Sequence, residues 1–134
     1  MFDISVGIMA YNEERGIRRL LQALLDQEVY HARIREIIVV ASGCTDRTED
    51  IIRDFGKRDA RIRLVRQTLR RGKASAINLF LAAASGDIYV LESADTVPER
   101  GAIDSLVAPF FSPEVGMTGG RPVPIDSPDT FMGY

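Results

Sequence analysis

The chain contains one cysteine and one histidine in 134 residues. A single thiol, Cys44, excludes an internal disulfide, and His31 stands far from it in sequence, so zinc binding and Cys–His catalysis have no support. No apolar run approaches the ~20 residues of a membrane span. The start of the chain also lacks a charged segment, apolar run and cleavage site in succession. These absences predict a reducing, cytoplasmic setting. A strand followed by G-x-G-x-x-G, or by G-x-x-x-x-G-K-S/T, is also missing, which argues against an ordinary dinucleotide fold and a P-loop NTPase. Internal repeats and low-complexity tracts are absent too. The formal net charge of −2 speaks against a general nucleic-acid binder.

What is present is one domain's worth of alternating strand and helix signals. A chain of this length buries roughly 68% of its unfolded surface, enough for one core. Phe2 to Ala10 alternates apolar residues and predicts a central first strand. Tyr11-Asn12-Glu13-Glu14 follows as a tight connection, with Asn12 placed to cap a helix whose apolar stripe is Ile17, Leu20, Leu21, Leu24 and Leu25. Glu36 to Ala41 is β-branched and apolar on both faces, as in a buried parallel strand. Asp46 and Glu49 have capping-box spacing ahead of Ile51, Ile52 and Phe55, and Gly56 is expected to end that second helix.

Arg61 to Arg66 predicts an edge strand within a basic stretch. Lys57 to Lys73 carries eight basic residues against the single acid Asp59, which suits either a solvated face or a phosphate site. Ile77, Phe80, Leu81 and Ala84 predict the buried stripe of a third helix, and Gly86-Asp87 turns into a fourth strand ending near Asp95. Pro98 can open the next helix, and Pro109 should shorten or kink it. Val115 to Thr118 predicts a short fifth strand. Gly119 to Tyr134 is a loop-like tail with three prolines and three glycines, suggesting an interrupted domain. The alternation predicts an α/β, Rossmann-like, doubly wound parallel sheet of order 3-2-1-4. Tyr11, Asn12 and Asp95 would then share the crevice at the switch point.

Asp95, just past a strand end, is placed to hold a hard cation such as Mg²⁺ on a ligand's phosphates, the alternative being a cap for the next helix. Lys73, after Gly72 at a helix start, could face an anion together with the local backbone N–H groups. Cys44, in a turn before a helix, could have a lowered pKa, but no base stands near it in sequence.

Four stretches in order, VGIMAYNEE, EIIVVASGCTDRTEDII, RRGKASAIN and DIYVLESADTVPE, give the chain its family likeness. From about Ile4 to Val123 it resembles the N-terminal, nucleotide-binding half of family 2 glycosyltransferases, which have the GT-A fold. The resemblance implies transfer of a sugar from a nucleoside-diphosphate-sugar to an acceptor glycan or lipid, with a divalent metal, Mg²⁺ or Mn²⁺. It implies that Ala10, Tyr11, Asn12 and Glu14 pack around the nucleoside and that Ser42 lies in the base-reading turn. Lys73 would sit near the diphosphate, and Ser93 and Asp95 would stand at the first and last positions of the D-x-D metal motif. Each also has a structural use: Tyr11 as core packing, Asn12 as a cap, Lys73 as a surface charge.

Two departures stand out. Ala41-Ser42 replaces the acidic pair common at the end of strand two, so the donor base, uridine or guanosine, stays open. Ser93 replaces a carboxylate, so metal binding rests on Asp95, with Glu92 pointing away along the strand. The general base of such enzymes comes beyond the position of Tyr134, and neither Asp126 nor Asp129 stands in a context suited to that role. The chain therefore reads as the donor half, with membrane attachment through another region and a homodimer both open. The alternatives are a non-catalytic nucleotide-binding or interaction domain and a sugar nucleotidyltransferase, which lacks its Gly-rich signature here.

Overall fold

The computed structural model describes residues 2–68, 71–95 and 97–111. In chain order these form β1 (Phe2–Ala10), α1 (Glu14–Leu25), β2 (Ala32–Ser42), α2 (Thr48–Arg58), β3 (Ile62–Gln67), α3 (Lys73–Ala83), β4 (Ile88–Glu92) and α4 (Ala102–Val107), with a 3-10 turn over Ala108–Phe111. All strand pairs are parallel and the order is β3-β2-β1-β4, as the alternation predicts. Right-handed crossovers fix the layers. The chain moves outward from β1 to β3 and then jumps back across β1 to β4, so α1 and α2 cover one face and α3 the other.

The larger core lies under α1, α2 and α4, where Ile4, Val6 and Ile8 of β1 meet Ile17, Leu20, Leu21 and Leu24, together with Ile52, Phe55, Ile103 and Val107. The opposite face is thinner: Ile38 and Val40 pack against Ala76 and Phe80 of α3. Gly7 makes that packing fit, because a Cβ there would lie 2.8 Å from the Phe80 ring. Ala76 and Phe80 carry the buried stripe, whereas Leu81 of the expected stripe is exposed. Ile77, Leu79, Phe80 and Leu81 make this helix apolar around most of its girth, so periodicity alone cannot select its buried side.

Other expectations shift at element ends. β2 begins at Ala32 rather than Glu36, with buried Ala32 and Ile34 alternating with Arg33 and Arg35, which both pair with Asp3. α2 runs through Gly56 to Arg58, with Gly56 beside β3 3.3 Å from the Ile62 carbonyl oxygen, measured from a Cβ position, and Arg58 stacked on Phe55. The capping box does not form, since Glu49 instead pairs with Arg53 and Arg66. α4 starts at Ala102 rather than at Pro98. Pro109 does shorten it: the α-helix ends at Val107 and a 3-10 turn follows. The fifth strand over Val115 to Thr118 and the tail lie outside the described residues. Among the described residues, no helix is long and apolar enough to cross a membrane.

Among the described residues, three of the eight basic residues in the stretch pair with acids. Arg61 holds Asp59 at 2.8 Å, Arg63 holds Glu36 at 2.9 Å and Arg66 holds Glu49 at 2.7 Å. These three arginines thus form a paired edge, while Lys57, Arg71 and Lys73 are exposed.

Candidate active site

The carboxyl ends of all four strands open on one edge of the sheet. Ala10 sits opposite Ala41, Ser42 opposite Gln67, and Ile8 opposite Glu92, so the turns after β1, β2 and β4 are neighbours there. β1 and β4 flank the switch point, where a parallel sheet leaves its crevice. Ala10 is buried at the strand end, and Tyr11 emerges beside it with 40% of its surface exposed. Tyr11 is thus a wall of the opening and not core packing.

Asn12 does not cap α1. Glu13 occupies the cap position, and its own side chain makes no capping bond. Asn12 instead takes the left-handed conformation, with φ of 47°, and aims its amide across to the turn after β2. Its Oδ1 accepts from the backbone N–H of Thr45 at 2.8 Å and of Asp46 at 3.3 Å, and its Nδ2 donates to Thr45 Oγ1 at 3.3 Å. The other turn reciprocates. Thr48 Oγ1 accepts from the Glu13 N–H at 2.8 Å, and Asp46 Oδ2 accepts from the Glu14 N–H at 3.3 Å. Asp46 Oδ1 also accepts from the N–H and hydroxyl of Thr48. Burial pushes the Asp46 carboxyl up, but these hydrogen bonds outweigh it and hold it below the usual carboxylate range.

Cys44 completes the interlock, its Sγ donating to the Ala10 carbonyl at 3.6 Å. Its thiol is the reverse of the activated form that a turn position allows. Burial pushes it up, and Asp46, Glu49 and Glu13 add to that.

At the end of β4, Asp95 is exposed and accepts a short hydrogen bond from Ser93 Oγ on its Oδ1. Ala94 between them is buried, and its carbonyl oxygen sits against Gly16 of α1 so closely that any Cβ there would overlap it. Glu92 is buried on the side of Ile88 and Val90, in keeping with strand alternation. Glu13 stands close enough to feel both carboxylates. Burial, then the charges of Asp95 and Asp46, hold its carboxyl above the usual range. The opening is therefore negatively charged and would be relieved by a cation.

The β2–β3 side is built differently. Ser42 is buried and spends its hydroxyl on Gln67 Oε1 at 2.6 Å, while Gln67 Nε2 donates to Ser75 Oγ in the first turn of α3 at 2.8 Å. That chain fixes the start of α3, where Gly72 precedes an exposed Lys73 and no side chain caps the helix.

Among the described residues, no group of three or more His, Cys, Asp or Glu side chains converges to hold a metal. The donor set fits a hard divalent ion only where one protein carboxylate, Asp95, is supplemented by ligand phosphate oxygens and water, a common arrangement for Mg²⁺.

A model of family 2 glycosyl transferases matches residues 5–134. The chain belongs to that family. A probable glycosyltransferase of Bacillus subtilis is 36% identical to this family 2 chain over 115 residues, covering 83% of the chain and 27% of the relative. A mannosyltransferase from Pyrobaculum calidifontis, solved with GDP-Man and Mn²⁺, superposes with a TM-score of 0.77 at 32% identity, over 86% of this chain and 34% of that one. Glucosyl-3-phosphoglycerate synthase from Mycobacterium tuberculosis, solved with Mn²⁺, UDP and its product, gives 0.66 at 32% identity, over 83% and 40%. The sheet is thus that of GT-A glycosyltransferases. This family 2 chain spans less than half the length of these relatives.

Of the residues singled out in the sequence, Ala10, Tyr11, Asn12, Ser93 and Asp95 meet at the switch-point edge, and Glu14 joins them through its backbone. Ser42 and Lys73 belong to the neighbouring β2–β3 side. Gln67 lies outside the four family stretches, and Thr45, Thr48 and Ser75 lie within them without an assigned role. They lie in polar turns whose pairing emerges only once the strand order is fixed.

Proposed function

We propose that this chain is the donor-binding portion of a glycosyltransferase that moves a sugar from a nucleoside-diphosphate-sugar to a glycan or lipid acceptor with the help of Mn²⁺ or Mg²⁺. The observation that carries the reading is the exposed Asp95 carboxylate, oriented by Ser93 at the end of β4 and facing a negatively charged opening beside Tyr11. Relatives solved with GDP-Man or UDP together with Mn²⁺ support the same assignment. A divalent ion, when bound, would neutralise diphosphate charge as the nucleotide leaves.

The chain's own groups have separable tasks. Ser93 holds one Asp95 oxygen in place and leaves the other free to ligate. Lys73 and the uncapped first turn of α3 offer positive charge to an anion, which stabilises charge building on the leaving group. Tyr11 provides a flat wall for a base, and Asn12 holds the turns that shape it. Ser42, already bonded to Gln67, leaves base recognition to backbone groups of its turn. The general base is assigned to a region outside the described residues. A cytoplasmic location suits both the single free thiol and a nucleotide-sugar donor.

Calorimetric titration with UDP and with GDP, in MnCl₂ and in EDTA, tests the reading. At least one nucleotide is expected to lose roughly tenfold or more in affinity when the metal is removed, the scale of losing one charge-assisted contact. For both nucleotides, an affinity in EDTA equal to that in MnCl₂ would contradict it.

A further inference from the structure

The connection from β4 to α4, which begins with Ser93 and Asp95, is tied to α1 at two places far apart along that helix. Near its start, Ala94 is seated on Gly16. Near its end it meets Gln27, just beyond the last turn of α1, where both ends of one side-chain amide are used. Gln27 Nε2 donates to the Glu99 carbonyl at 2.6 Å and to the Ala23 carbonyl at 3.2 Å, and Gln27 Oε1 accepts from the Ile103 N–H at 3.1 Å. The Glu28 N–H adds a bond to the Arg100 carbonyl at 2.8 Å. Gly16 and Gln27 lie roughly 16 Å apart at the helical rise, so the two attachment points are well separated along α1.

Ile103 is fully buried, so the Gln27 oxygen also caps a helix end that enters the core. Two local backbone bonds also involve the connection, from the Ala102 N–H to the Glu99 carbonyl, the same oxygen that Gln27 holds, and from the Ser105 N–H to the Gly101 carbonyl. Past it, Asp104 accepts from the N–H groups of Tyr30 and His31, each at 2.9 Å, which anchors α4 and not the Asp95 end. Gln27 thus reaches back into the connection through its side-chain amide, beside the looser pair of Glu28 with Arg100 at 4.0 Å.

We infer that Gln27 is a positioning residue for Asp95: without touching donor or metal, it fixes the far end of the connection whose near end presents the carboxylate. This rests on the reading of Asp95 as the metal-facing group. A rigid connection delivers the carboxylate already oriented, so its loosening weakens the metal-dependent share of nucleotide binding and spares the metal-independent share.

Two measurements on the Gln27→Ala variant separate the possibilities. Hydrogen exchange should accelerate in peptides from the β4–α4 connection by about tenfold, from the loss of the amide's bonds, with β1 and β2 unchanged. UDP and GDP titrations should show roughly tenfold weaker binding in MnCl₂ and unaltered binding in EDTA. Gln27→Glu keeps the oxygen used by Ile103 but loses the donor to Glu99, and serves if the alanine variant does not fold. Unchanged exchange in the connection overturns the inference, as does equal weakening with and without metal. If the unaltered chain shows no Mn²⁺-dependent binding while exchange in the connection still accelerates, the brace stands and the assignment of Asp95 fails.

Discussion

Asp95 and Glu13 pull against each other. Glu13 is partly buried, and after that burial the charge of Asp95 contributes to holding its carboxyl above the usual range, so the two ionised forms disfavour each other. A carboxylate kept where it costs stability is one expected mark of a functional group. Asp95→Asn should therefore leave thermal stability unchanged or raise it, within about 0.5 kcal/mol of the parent chain. Calorimetric unfolding checks this, and a loss above about 2 kcal/mol would instead assign Asp95 a structural role. Asn12 is the opposite kind of residue, strained but well bonded. Asn12→Ala loses the bonds to the β2 turn and keeps the left-handed backbone, for an expected cost of about 2–3 kcal/mol. Asn12→Gly loses the same bonds without the strain and should be milder by about 1 kcal/mol in urea unfolding. Equal losses would show that φ of 47° stores nothing.

The elements differ in how firmly each end of the sheet is closed. At the amino end, Glu36 of β2 is buried, 5% exposed, and accepts from Ser5 Oγ at 2.6 Å, the Ser85 N–H at 2.7 Å, Ser85 Oγ at 3.1 Å and Arg63 at 2.9 Å. One carboxylate thus ties β1, β2, β3 and the turn before β4. It sits beside the register shift between Ile4 and Ser5. Replacing it by Gln keeps the shape but places an amide N–H₂ among donors, at an expected cost of about 2–3 kcal/mol. On the thin face, Gly7→Ala drives a methyl into the Phe80 ring and should cost about 1–3 kcal/mol in the same unfolding assay. Both bear on what a linear reading reveals. The strand β1, the stripe of α1 and the strand order follow from periodicity and crossover handedness, which are local or topological rules. The buried side of α3 depends on the space above Gly7, and the helix starts depend on turns meeting across the sheet. Asn12 with Thr45 and Gln27 with Glu99 are such meetings, so the capping role expected of Asn12 gives way to bonds between turns, while Asp46 still holds the Thr48 N–H and Glu49 pairs with Arg53 and Arg66.

For the molecule as a whole, the closed amino edge and the open, acidic carboxyl edge set the response to pH. Glu36, Asp46, Asp59 and Asp104 are all held below the usual carboxylate range: burial pushes Glu36, Asp46 and Asp104 up, but hydrogen bonds outweigh it, and Asp59 is lowered chiefly by its bonds to Arg61. The unfolded chain takes up protons at these groups before the native chain does. Their stabilisation is therefore full above the ordinary carboxylate range and is lost as pH falls through the folded values. Glu13 acts with the opposite sign, its raised carboxyl favouring the fold only while protonated. Asp3, lowered chiefly by its bond to Arg33, joins the four lowered groups, and five groups against one make the urea midpoint fall steeply on acidification below about pH 4. Glu36→Gln should flatten that limb, and an unchanged slope would show that the Glu36 cluster does not set it.

The organisation of the crevice around Asp95 is tested most directly by paramagnetic broadening of backbone amide signals when Mn²⁺ is added in substoichiometric amounts with UDP or GDP. The amides of Ser93 to Asp95 and of Tyr11 to Glu13 should broaden first, and Asp95→Asn should abolish the effect while the rest of the spectrum is preserved. Broadening centred elsewhere, or broadening that survives Asp95→Asn, would contradict the assignment of the metal to this carboxylate.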